Sequence, residues 1–238
     1  MSLDGKVIIV TGAASGIGAA SVVLIRARGG IAISTDLAGA DAILDVTSSE
    51  AWDKAIEETV MKHGRIDGLV SNAGITGAQP LVDLDLAEFR RMTAVNVEGS
   101  FLGIQKVVAQ MRTQGHPAHG SIVVTSSVMA SQAVAGVFSY AATKAALSNM
   151  ARAIGIELGR KGDFIRVNIV APGGTATPML ANAMPPGFVD DPQSWAEVPL
   201  REPQRPEDIA ETIGFLLSDE ASFLTSAVMT VDGGWSLT

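Results

Sequence analysis

Short apolar runs alternate along this chain with longer segments of helical periodicity. The run Val7-Ile8-Ile9-Val10 is continuously apolar, as expected of a strand that is buried on both faces. The same pattern predicts strands at 7–10, 31–35, a short one leading to Asp45, 66–71, 121–125, 164–170 and 227–231. Apolar positions at helical spacing predict helices at 16–28, 48–62, 86–111, 140–159 and 206–218.

This alternation is typical of parallel strands that are joined by right-handed helical crossovers. A closed (β/α)8 barrel is the alternative, but it needs eight matched units and places its phosphate site late in the chain. Here the glycine-rich turn is the first turn, which favours an open sheet. We therefore predict a single α/β domain over residues 1–238, a Rossmann-type doubly wound parallel sheet with helices on both faces.

Composition narrows the functional classes. The 238 residues are 47% hydrophobic and include 17 basic and 25 acidic side chains, for a net charge of −8. A phosphate backbone repels an acidic chain, so no nucleic-acid partner is expected. The absence of cysteine and the presence of only three histidines argue against a metal site. No apolar stretch is long enough to span a membrane and no signal peptide is evident, so we expect a cytoplasmic protein with no membrane partner.

The turn Thr11-Gly12-Ala13-Ala14-Ser15-Gly16-Ile17-Gly18 follows the first predicted strand and opens the first predicted helix. Glycines let the backbone approach a pyrophosphate, whose charge then lies at the helix N-terminus. Glycines alone also form ordinary tight turns. The strand before this turn, the helix after it and an acidic residue at the end of the second strand together indicate a dinucleotide site. Its candidate residues are Gly12, Ser15, Gly16, Ile17 and Gly18.

Asp36 ends the second predicted strand, close to the separation from the glycine turn at which a ribose-binding carboxylate is expected. A carboxylate there accepts hydrogen bonds from both ribose hydroxyls and repels a 2′-phosphate. Neither the turn nor Leu37, the next residue, offers a basic side chain to hold that phosphate. We therefore predict NAD rather than NADP, with Asp36 and Leu37 in its site. The alternative is that Asp36 only caps a loop.

Tyr140 and Lys144 are four residues apart at the start of a predicted helix, so their side chains share one face. A free phenol has a pKa near 10, and a neighbouring ammonium group is expected to lower it. Ser127 follows a buried strand, where its hydroxyl can hydrogen-bond a carbonyl oxygen. This set suits proton transfer to or from an alcohol oxygen while a hydride moves to or from a cofactor.

Together these features resemble the short-chain dehydrogenase/reductase family, in its compact, NAD-preferring branch. The resemblance covers nearly the whole chain, and its motifs are highly specific in combination. They are Thr11–Gly18, Asp45-Val46, Asn72-Ala73-Gly74, Asn96, Ser127, Tyr140 with Lys144, Pro172-Gly173 and Val231-Asp232-Gly233-Gly234.

The resemblance implies catalytic roles for four residues. Tyr140 is the expected general acid/base, and Lys144 is expected to lower its pKa and to bind the nicotinamide ribose. Ser126 and Ser127 both qualify as the residue that orients the substrate oxygen, and the usual spacing to the tyrosine favours Ser127. Asn96 is expected to join Lys144 to a water relay. From the sequence alone, Asn96 could instead satisfy backbone groups at a helix kink.

The resemblance also extends the cofactor site. It places Asp45 and Val46 at the adenine, Asn72, Ala73 and Gly74 at the adenosine ribose, and Tyr140 with Lys144 at the nicotinamide ribose. Thr177 would reach the pyrophosphate or the carboxamide, close to Pro172, Gly173 and Thr175. This chain departs from the family in having no room for a helix between Asp36 and Asp45, so the adenine side of the site is expected to be more open.

The variable segment at about 178–205 is expected to form a lid over the substrate. Apolar side chains there and after Ser127 suggest a neutral, fairly apolar secondary alcohol or ketone. Equally, these side chains could pack the lid onto the domain. The candidate lining residues are Met129, Val134, Phe138, Met179, Leu180, Met184 and Trp195.

The predicted helix at 140–159 is apolar on more than one face, which indicates a self-association surface. With the family resemblance, it predicts a homo-oligomer, most simply a tetramer. The main functional prediction is an NAD-dependent oxidoreductase. The alternatives are an NADPH-dependent 3-oxoacyl thioester reductase and a non-catalytic NAD-binding sensor or scaffold. A dehydratase or epimerase is a weaker possibility.

Overall fold

The computed structural model describes residues 1–115 and 118–238, and its strands form one parallel sheet. The strands are β1 (Val7–Thr11), β2 (Ile31–Asp36), β3 (Ala42–Ile43), β4 (Gly68–Ser71), β5 (His119–Thr125), β6 (Phe164–Pro172) and β7 (Val228–Val231). Their order is β3-β2-β1-β4-β5-β6-β7, and every neighbouring pair is parallel. The predicted doubly wound α/β sheet is confirmed.

Helices connect the strands and pack on both faces of the sheet. They are α1 (Gly16–Ala27), α2 (Ser49–His63), α3 (Leu86–Thr93), α4 (Gly99–Thr113), α5 (Phe138–Arg160), α6 (Pro178–Ala183) and α7 (Pro206–Leu217). A π-helical segment, Ala94–Glu98, joins α3 to α4. The single helix predicted at 86–111 is therefore interrupted in the middle. None of the helices in the described part of the chain has the length and apolarity needed to cross a membrane.

Two apolar layers hold the helices against the sheet. Side chains alternate between the faces of a strand, so Ile9 of β1 points to one layer while Ile8 and Val10 point to the other. The first layer is covered by α2, α4 and α5, and the second by α1 and α7. This two-sided burial explains why the strands are continuously apolar rather than alternating.

The strand order reverses at β1, which lies between β2 and β4. In sheets of this kind a crevice opens at the carboxyl ends of the strands where the order reverses, and ligands bind there. The glycine turn after β1 and Asn72 after β4 lie at this edge. Ser127 after β5 and the loop after β6 lie there as well. The topology thus gathers most of the predicted site residues, which are far apart in the sequence.

The connection between β2 and β3 consists only of residues Leu37 to Asp41, and it contains no helix. Arg26 of α1 supports this short loop, because its guanidinium donates to the Asp41 carboxylate and to the carbonyl of Ala32. The expected lack of a helix between Asp36 and Asp45 is therefore observed.

Helix α4 approaches α2 closely because Gly103 has no side chain. A Cβ atom on Gly103 would overlap the indole of Trp52, lying 2.6 Å from Cη2. Trp52 is 1% exposed, and its indole nitrogen donates to the Val46 carbonyl at 3.0 Å, so the ring has little freedom to move.

We expect Gly103→Ala to lower the free energy of unfolding by about 1–3 kcal/mol, since overpacking outweighs the higher helix propensity of alanine. Gly159→Ala is the matched control, because Gly159 also lies in a helix but a Cβ atom added there would have no neighbouring atom within 4 Å. It should be neutral or stabilising by up to about 1 kcal/mol. Urea denaturation measures both. Equal stabilisation of the two variants would contradict the tight contact.

Candidate active site

The glycine turn after β1 is folded too tightly to accept side chains at its outer glycines. Gly12 has φ +64°, and a Cβ atom there would lie 2.8 Å from the Cα of Ala73. A Cβ atom on Gly18 would overlap the carbonyl oxygen of Gly12. Gly16 has φ +53° and packs against Thr177, whose Cγ2 would lie 3.0 Å from its Cβ. The turn therefore brings bare backbone to the mouth of the crevice.

The N-terminus of α1 suits an anion. Ser15 is the N-cap residue, but its side chain makes no capping hydrogen bond, and the first turn contains no acidic residue. No side chain of the cap or of the first turn of α1 therefore neutralises the partial positive charge of the helix end, and backbone N–H groups at this end lack helical partners. A pyrophosphate group fits these donors.

Thr11 and Asn72 fix the turn to the end of β4. The Thr11 hydroxyl oxygen accepts from the backbone N–H groups of Asn72 and Ala73, both at 3.0 Å. The Asn72 amide in turn donates to the carbonyls of Thr11 at 3.0 Å and Gly12 at 3.2 Å. Asn72 thus positions the turn. Thr11 was not among the predicted site residues, although it is a polar residue ending an apolar strand.

Asp36 lies beside this turn, although it is distant from it in the sequence. One carboxylate oxygen accepts from the Ala14 backbone N–H at 3.0 Å, and the other accepts from the Leu37 N–H at 2.7 Å. Leu37 is 66% exposed. The carboxylate is therefore held at the edge of the crevice, next to the anion-binding turn.

Asp45 and Val46 occupy different environments. Asp45 is exposed, and its carboxylate accepts from the backbone N–H and the hydroxyl of Thr47 at 2.9 and 2.7 Å. Val46 is 9% exposed, and its side chain packs in the core against Gly99. Any contact of Val46 with a ligand must therefore be made by its backbone.

The loop after β6 closes the crevice opposite β4. Pro172 ends β6, and the Gly173 N–H donates to the Val231 carbonyl at 2.9 Å. Thr175 is buried, and its hydroxyl donates to the Gly173 carbonyl at 3.3 Å. Thr177 caps α6 by accepting from the Leu180 N–H at 3.3 Å. Through its contact with Gly16, this loop reaches the glycine turn.

Tyr140 and Lys144 project from the first turns of α5 towards the end of β5. The Lys144 ammonium nitrogen lies 5.6 Å from the centroid of the Tyr140 ring and donates to the Thr125 carbonyl at 2.8 Å. Lys144 is 4% exposed, and its side chain has no carboxylate partner among the described residues. A buried ammonium group with a single carbonyl partner is poorly solvated.

The two candidate serines point in different directions. The Ser126 hydroxyl donates to the Lys144 carbonyl at 3.0 Å and lies 2.6 Å from the Ser148 hydroxyl, so it faces α5. The Ser127 hydroxyl accepts from the Met129 N–H at 3.2 Å and lies close enough to the Tyr140 phenol to oppose the rise in the Tyr140 pKa. Of the two, Ser127 is the one that the fold places beside the tyrosine.

Burial governs the ionisation of the tyrosine–lysine pair. Burial raises the pKa of Tyr140 to about 12, and the nearby Ser127 hydroxyl only partly offsets this. The same cause lowers the pKa of Lys144 to about 8. The sequence led us to expect the ammonium to lower the tyrosine pKa. In the structure Lys144 donates to the Thr125 carbonyl, and burial raises the pKa of Tyr140 instead of lowering it.

Asn96 lies in the π-helical segment and is completely buried. Its side-chain oxygen accepts from the Ile75 N–H at 2.8 Å, and its amide nitrogen donates to the Ile75 carbonyl and to the Thr143 hydroxyl, both at 2.9 Å. The side chain therefore satisfies backbone groups, as in the alternative considered for it. A water relay to Lys144 remains a prediction. Thr143, three residues after Tyr140, was not identified from the sequence.

The lid segment contains α6 and a short 3-10 turn, Pro192–Trp195. Trp195 is 4% exposed, packs on Gly174 and donates to the Val189 carbonyl at 3.1 Å, so it anchors the lid. This burial fits the packing alternative, and a place for Trp195 in the substrate lining stays a prediction. The other candidates are half-buried or exposed: Met129, Phe138, Leu180 and Met184 are half-buried, whereas Val134 and Met179 are exposed.

A groove of about 550 Å³ lies at the opposite, amino-terminal ends of the strands. Its basic side chains are engaged, because Lys6 pairs with Asp219, Arg65 pairs with Asp67, and Arg166 donates to the carbonyls of Leu216 and Ser218. The described residues also include no group of three His, Cys, Asp or Glu side chains arranged to hold a metal ion. The carboxyl-end crevice is therefore the candidate active site.

The sequence of this chain is similar to those of known proteins. A family model described as enoyl-(acyl carrier protein) reductase matches residues 12–236. The chain is 35% identical over 252 residues to 2,5-dichloro-2,5-cyclohexadiene-1,4-diol dehydrogenase LinX of Sphingobium indicum, covering 99% of this chain and 98% of that protein. It is 37% identical over 251 residues to 3-oxoacyl-(acyl-carrier-protein) reductase FabG of Thermotoga maritima, covering 98% and 99%.

A solved structure is similar over the same length. The crystal structure of 3-ketoacyl-(acyl-carrier-protein) reductase from Brucella melitensis, complexed with NADH, superposes with a TM-score of 0.90 at 29% sequence identity. The match covers 99% of this chain and 100% of that one.

The buried lysine predicts a specific pH dependence of stability. Its pKa is about 8 in the folded protein and 10.5 when exposed, so the unfolded chain binds more protons between these values. Stability is therefore expected to rise from pH 8 to pH 10, by up to about 3 kcal/mol. Above pH 10 the raised pKa of Tyr140 acts in the opposite direction.

Lys144→Met should remove this rise, because methionine carries no proton to lose. Lys54→Met, at an exposed position, is the control for deleting a lysine and should retain the rise. Urea denaturation at pH 7, 8, 9 and 10 provides the comparison. Parallel stability curves for wild type and Lys144→Met would show that Lys144 is not the titrating group.

Proposed function

Because this chain belongs to the short-chain dehydrogenase/reductase family, we propose that it transfers a hydride between NAD(H) and a neutral, fairly apolar secondary alcohol or ketone. The similar proteins named above are a diol dehydrogenase and two ketoacyl reductases. The observation that carries the proposal is the placement of Ser127, Tyr140 and Lys144 around one point of the crevice, beside the glycine turn.

The residues of the crevice fit a nicotinamide dinucleotide. The bare backbone of the glycine turn and the uncapped N-terminus of α1 suit its pyrophosphate. Asp36 would accept from the adenosine ribose hydroxyls, and Thr177 lies beside the turn to bind the pyrophosphate or the carboxamide. The other residues predicted to contact the cofactor lie along the same edge of the sheet. When bound, this cofactor supplies or accepts the hydride.

The protein's own part in the reaction is proton transfer and orientation. In the reductive direction the Tyr140 phenol, protonated at neutral pH, donates to the substrate oxygen while the Ser127 hydroxyl orients that oxygen. In the oxidative direction the Tyr140 phenolate takes the proton from the alcohol and becomes the phenol, and the positive charge of Lys144 stabilises the phenolate before this transfer. Asn96 supports this pair through the packing of the π-helical segment.

The preference for NAD rests on Asp36. Its carboxylate is fixed at the crevice edge by the N–H groups of Ala14 and Leu37, where it would repel a 2′-phosphate. Neither residues 12–18 nor residues 37–40 include a basic side chain. The short connection from β2 to β3 leaves the adenine side less covered, in keeping with the expected open adenine site.

The apolar walls support a neutral substrate. Within 162–200, Arg166 is the single basic residue of the sequence, and its guanidinium is bound to carbonyls at the far end of the sheet. Arg205, just after this segment, hydrogen-bonds Asp208 at 2.9 Å. The diol dehydrogenase among the relatives supports a ring-bearing alcohol as the first substrate to test.

An NADPH-dependent 3-oxoacyl thioester reductase is the second candidate. It is favoured by the similarity to two ketoacyl reductases, but the complex of one of them with NADH does not favour the NADPH dependence. The non-catalytic sensor is disfavoured because it would have no need of the serine, tyrosine and lysine together.

Exposed apolar side chains on α4 and α5 suggest that the protein associates with itself. Phe101 of α4 and Ile156 of α5 are 44% and 48% exposed, and they support the homo-oligomer, most simply a tetramer, that the sequence predicts. We propose a cytoplasmic location, with a small-molecule substrate and no nucleic-acid partner.

We expect purified protein to reduce NAD, but not NADP, with a panel of cyclic, aryl and long-chain secondary alcohols, measured as absorbance of the reduced nicotinamide. Turnover with NAD and an apolar alcohol would support the proposal, and the ranking of alcohols would define the pocket. Turnover only with NADP would overturn the assignment of Asp36 and favour the thioester reductase. Binding of NAD with no turnover of alcohols or of 3-oxoacyl thioesters would favour the sensor.

Tyr140→Phe should reduce kcat by about 10²–10⁴-fold, because it removes only the phenolic proton donor. Binding of NADH, followed by fluorescence titration, should change by less than about twofold. Phe164→Leu, a change of an aromatic residue at the amino-terminal end of β6 and away from the crevice, serves as the control for loss of an aromatic ring. Normal turnover by Tyr140→Phe would show that another group transfers the proton.

A further inference from the structure

We propose that the Thr143 hydroxyl is a positioning group that couples the catalytic helix α5 to the loop after β4, and that it acts through Asn96. This inference rests on the proposed function, because it concerns the same tyrosine and the same cofactor loop. It adds a residue to which no role has been assigned.

The coupling is a continuous chain of hydrogen bonds. The Ile75 backbone pairs with the Asn96 amide through two bonds, of 2.8 and 2.9 Å. The Asn96 amide nitrogen uses its second proton on the Thr143 hydroxyl oxygen at 2.9 Å, and that hydroxyl donates to the Tyr140 carbonyl at 2.8 Å. The chain therefore runs from the loop after β4, through the π-helical segment, to the first turn of α5.

Every side chain in this path is shielded from water. Asn96 is 0% exposed and Thr143 is 3% exposed. Without water to replace a lost partner, a buried N–H group that loses its acceptor keeps the full cost of desolvation. The Thr143 hydroxyl is thus the one described acceptor for the second amide proton of Asn96. A valine at this position keeps the shape of threonine but leaves that proton unpaired.

The geometry at Gly74 shows why this matters for the reaction. A Cβ atom on Gly74 would lie 3.2 Å from the Asn96 side-chain oxygen and 3.6 Å from the Lys144 ammonium nitrogen. The loop after β4 therefore passes directly against the ammonium group. Thr143 precedes Lys144 in the chain, so its bond to Asn96 sets the spacing between that loop and the tyrosine–lysine pair.

The other hydrogen bonds of Asn96 do not account for its bond to the Thr143 hydroxyl. Its two bonds to Ile75 already hold the side chain in the π-helical segment, and its carbonyl is engaged separately by the Ser100 hydroxyl at 2.9 Å. A hydroxyl of Thr143 that served only its own helix would bond the Tyr140 carbonyl alone. Thr59 is such a residue, since its hydroxyl donates to the Ala55 carbonyl of the same helix at 2.7 Å.

Thr143→Val is expected to lower kcat for the alcohol by about tenfold to a hundredfold, because small displacements of reacting groups are costly, while KM changes by less than about twofold. Thr143→Ser keeps the hydroxyl and should restore most of kcat. Thr59→Val is the matched control, a buried helical threonine at 3% exposure, and should leave kcat unchanged.

A double-mutant cycle distinguishes positioning from general stabilisation. If Thr143 acts through Asn96, then Thr143→Val should lower kcat little further in an Asn96→Ala background. The same factor of loss in both backgrounds would overturn the proposal, as would wild-type kcat in Thr143→Val. Circular dichroism and NADH titration establish that each variant is folded. If Asn96→Ala does not fold, failure of Thr143→Ser to restore kcat overturns the proposal.

The two proposals fail in different ways. A wild-type protein that binds NADH but turns over no alcohol or ketone would overturn the proposed function. A wild-type protein with normal turnover whose kcat is insensitive to Thr143→Val would overturn only the role of Thr143.

Discussion

The contact between the glycine turn and the end of β4 is the constraint on which the rest of the site depends. No side chain fits at Gly12 or Gly18, because Ala73 and the turn's own carbonyl occupy the space. Thr11 and Asn72 close the contact with hydrogen bonds in both directions. Since β1 and β4 are the strands at which the sheet order reverses, this contact determines how wide the crevice is and where the N-terminus of α1 points.

Burial dominates at the tyrosine–lysine pair. Lys144 is removed from water with one carbonyl as its partner, and the partial burial of Tyr140 raises the pKa of its phenol. Buried ionisable groups with perturbed pKa values are a frequent mark of active sites. Here burial shifts both pKa values towards the neutral forms, so the phenolate forms readily only when further positive charge or hydrogen-bond donors reach the pair.

The segment predicted to form the lid packs on the domain through close contacts with glycine backbone rather than through charge. Trp195 fits against Gly174, and Val198 lies within 2.9 Å of the Cβ position of Gly233. The C-terminal glycine turn, which the sequence marks as a family motif, thus gives the lid a surface without side chains on which to pack. Its physical role is close approach, in the same way as that of the glycine turn after β1.

The sequence by itself determined the sheet, the glycine turn and the order of the site residues, because each depends on local periodicity or on a motif with fixed spacing. Through its spacing to Tyr140, it also favoured Ser127 over Ser126. The tertiary structure decided what depends on contacts between distant segments. It directed Ser126 towards α5, buried Trp195 against Gly174 and broke the helix expected at 86–111 at Asn96. Thr11 and Thr143 were overlooked because their importance lies in partners that are distant in the chain. The raised pKa of Tyr140 was missed because solvent exclusion is a property of the packed fold and not of the spacing of two residues along a helix.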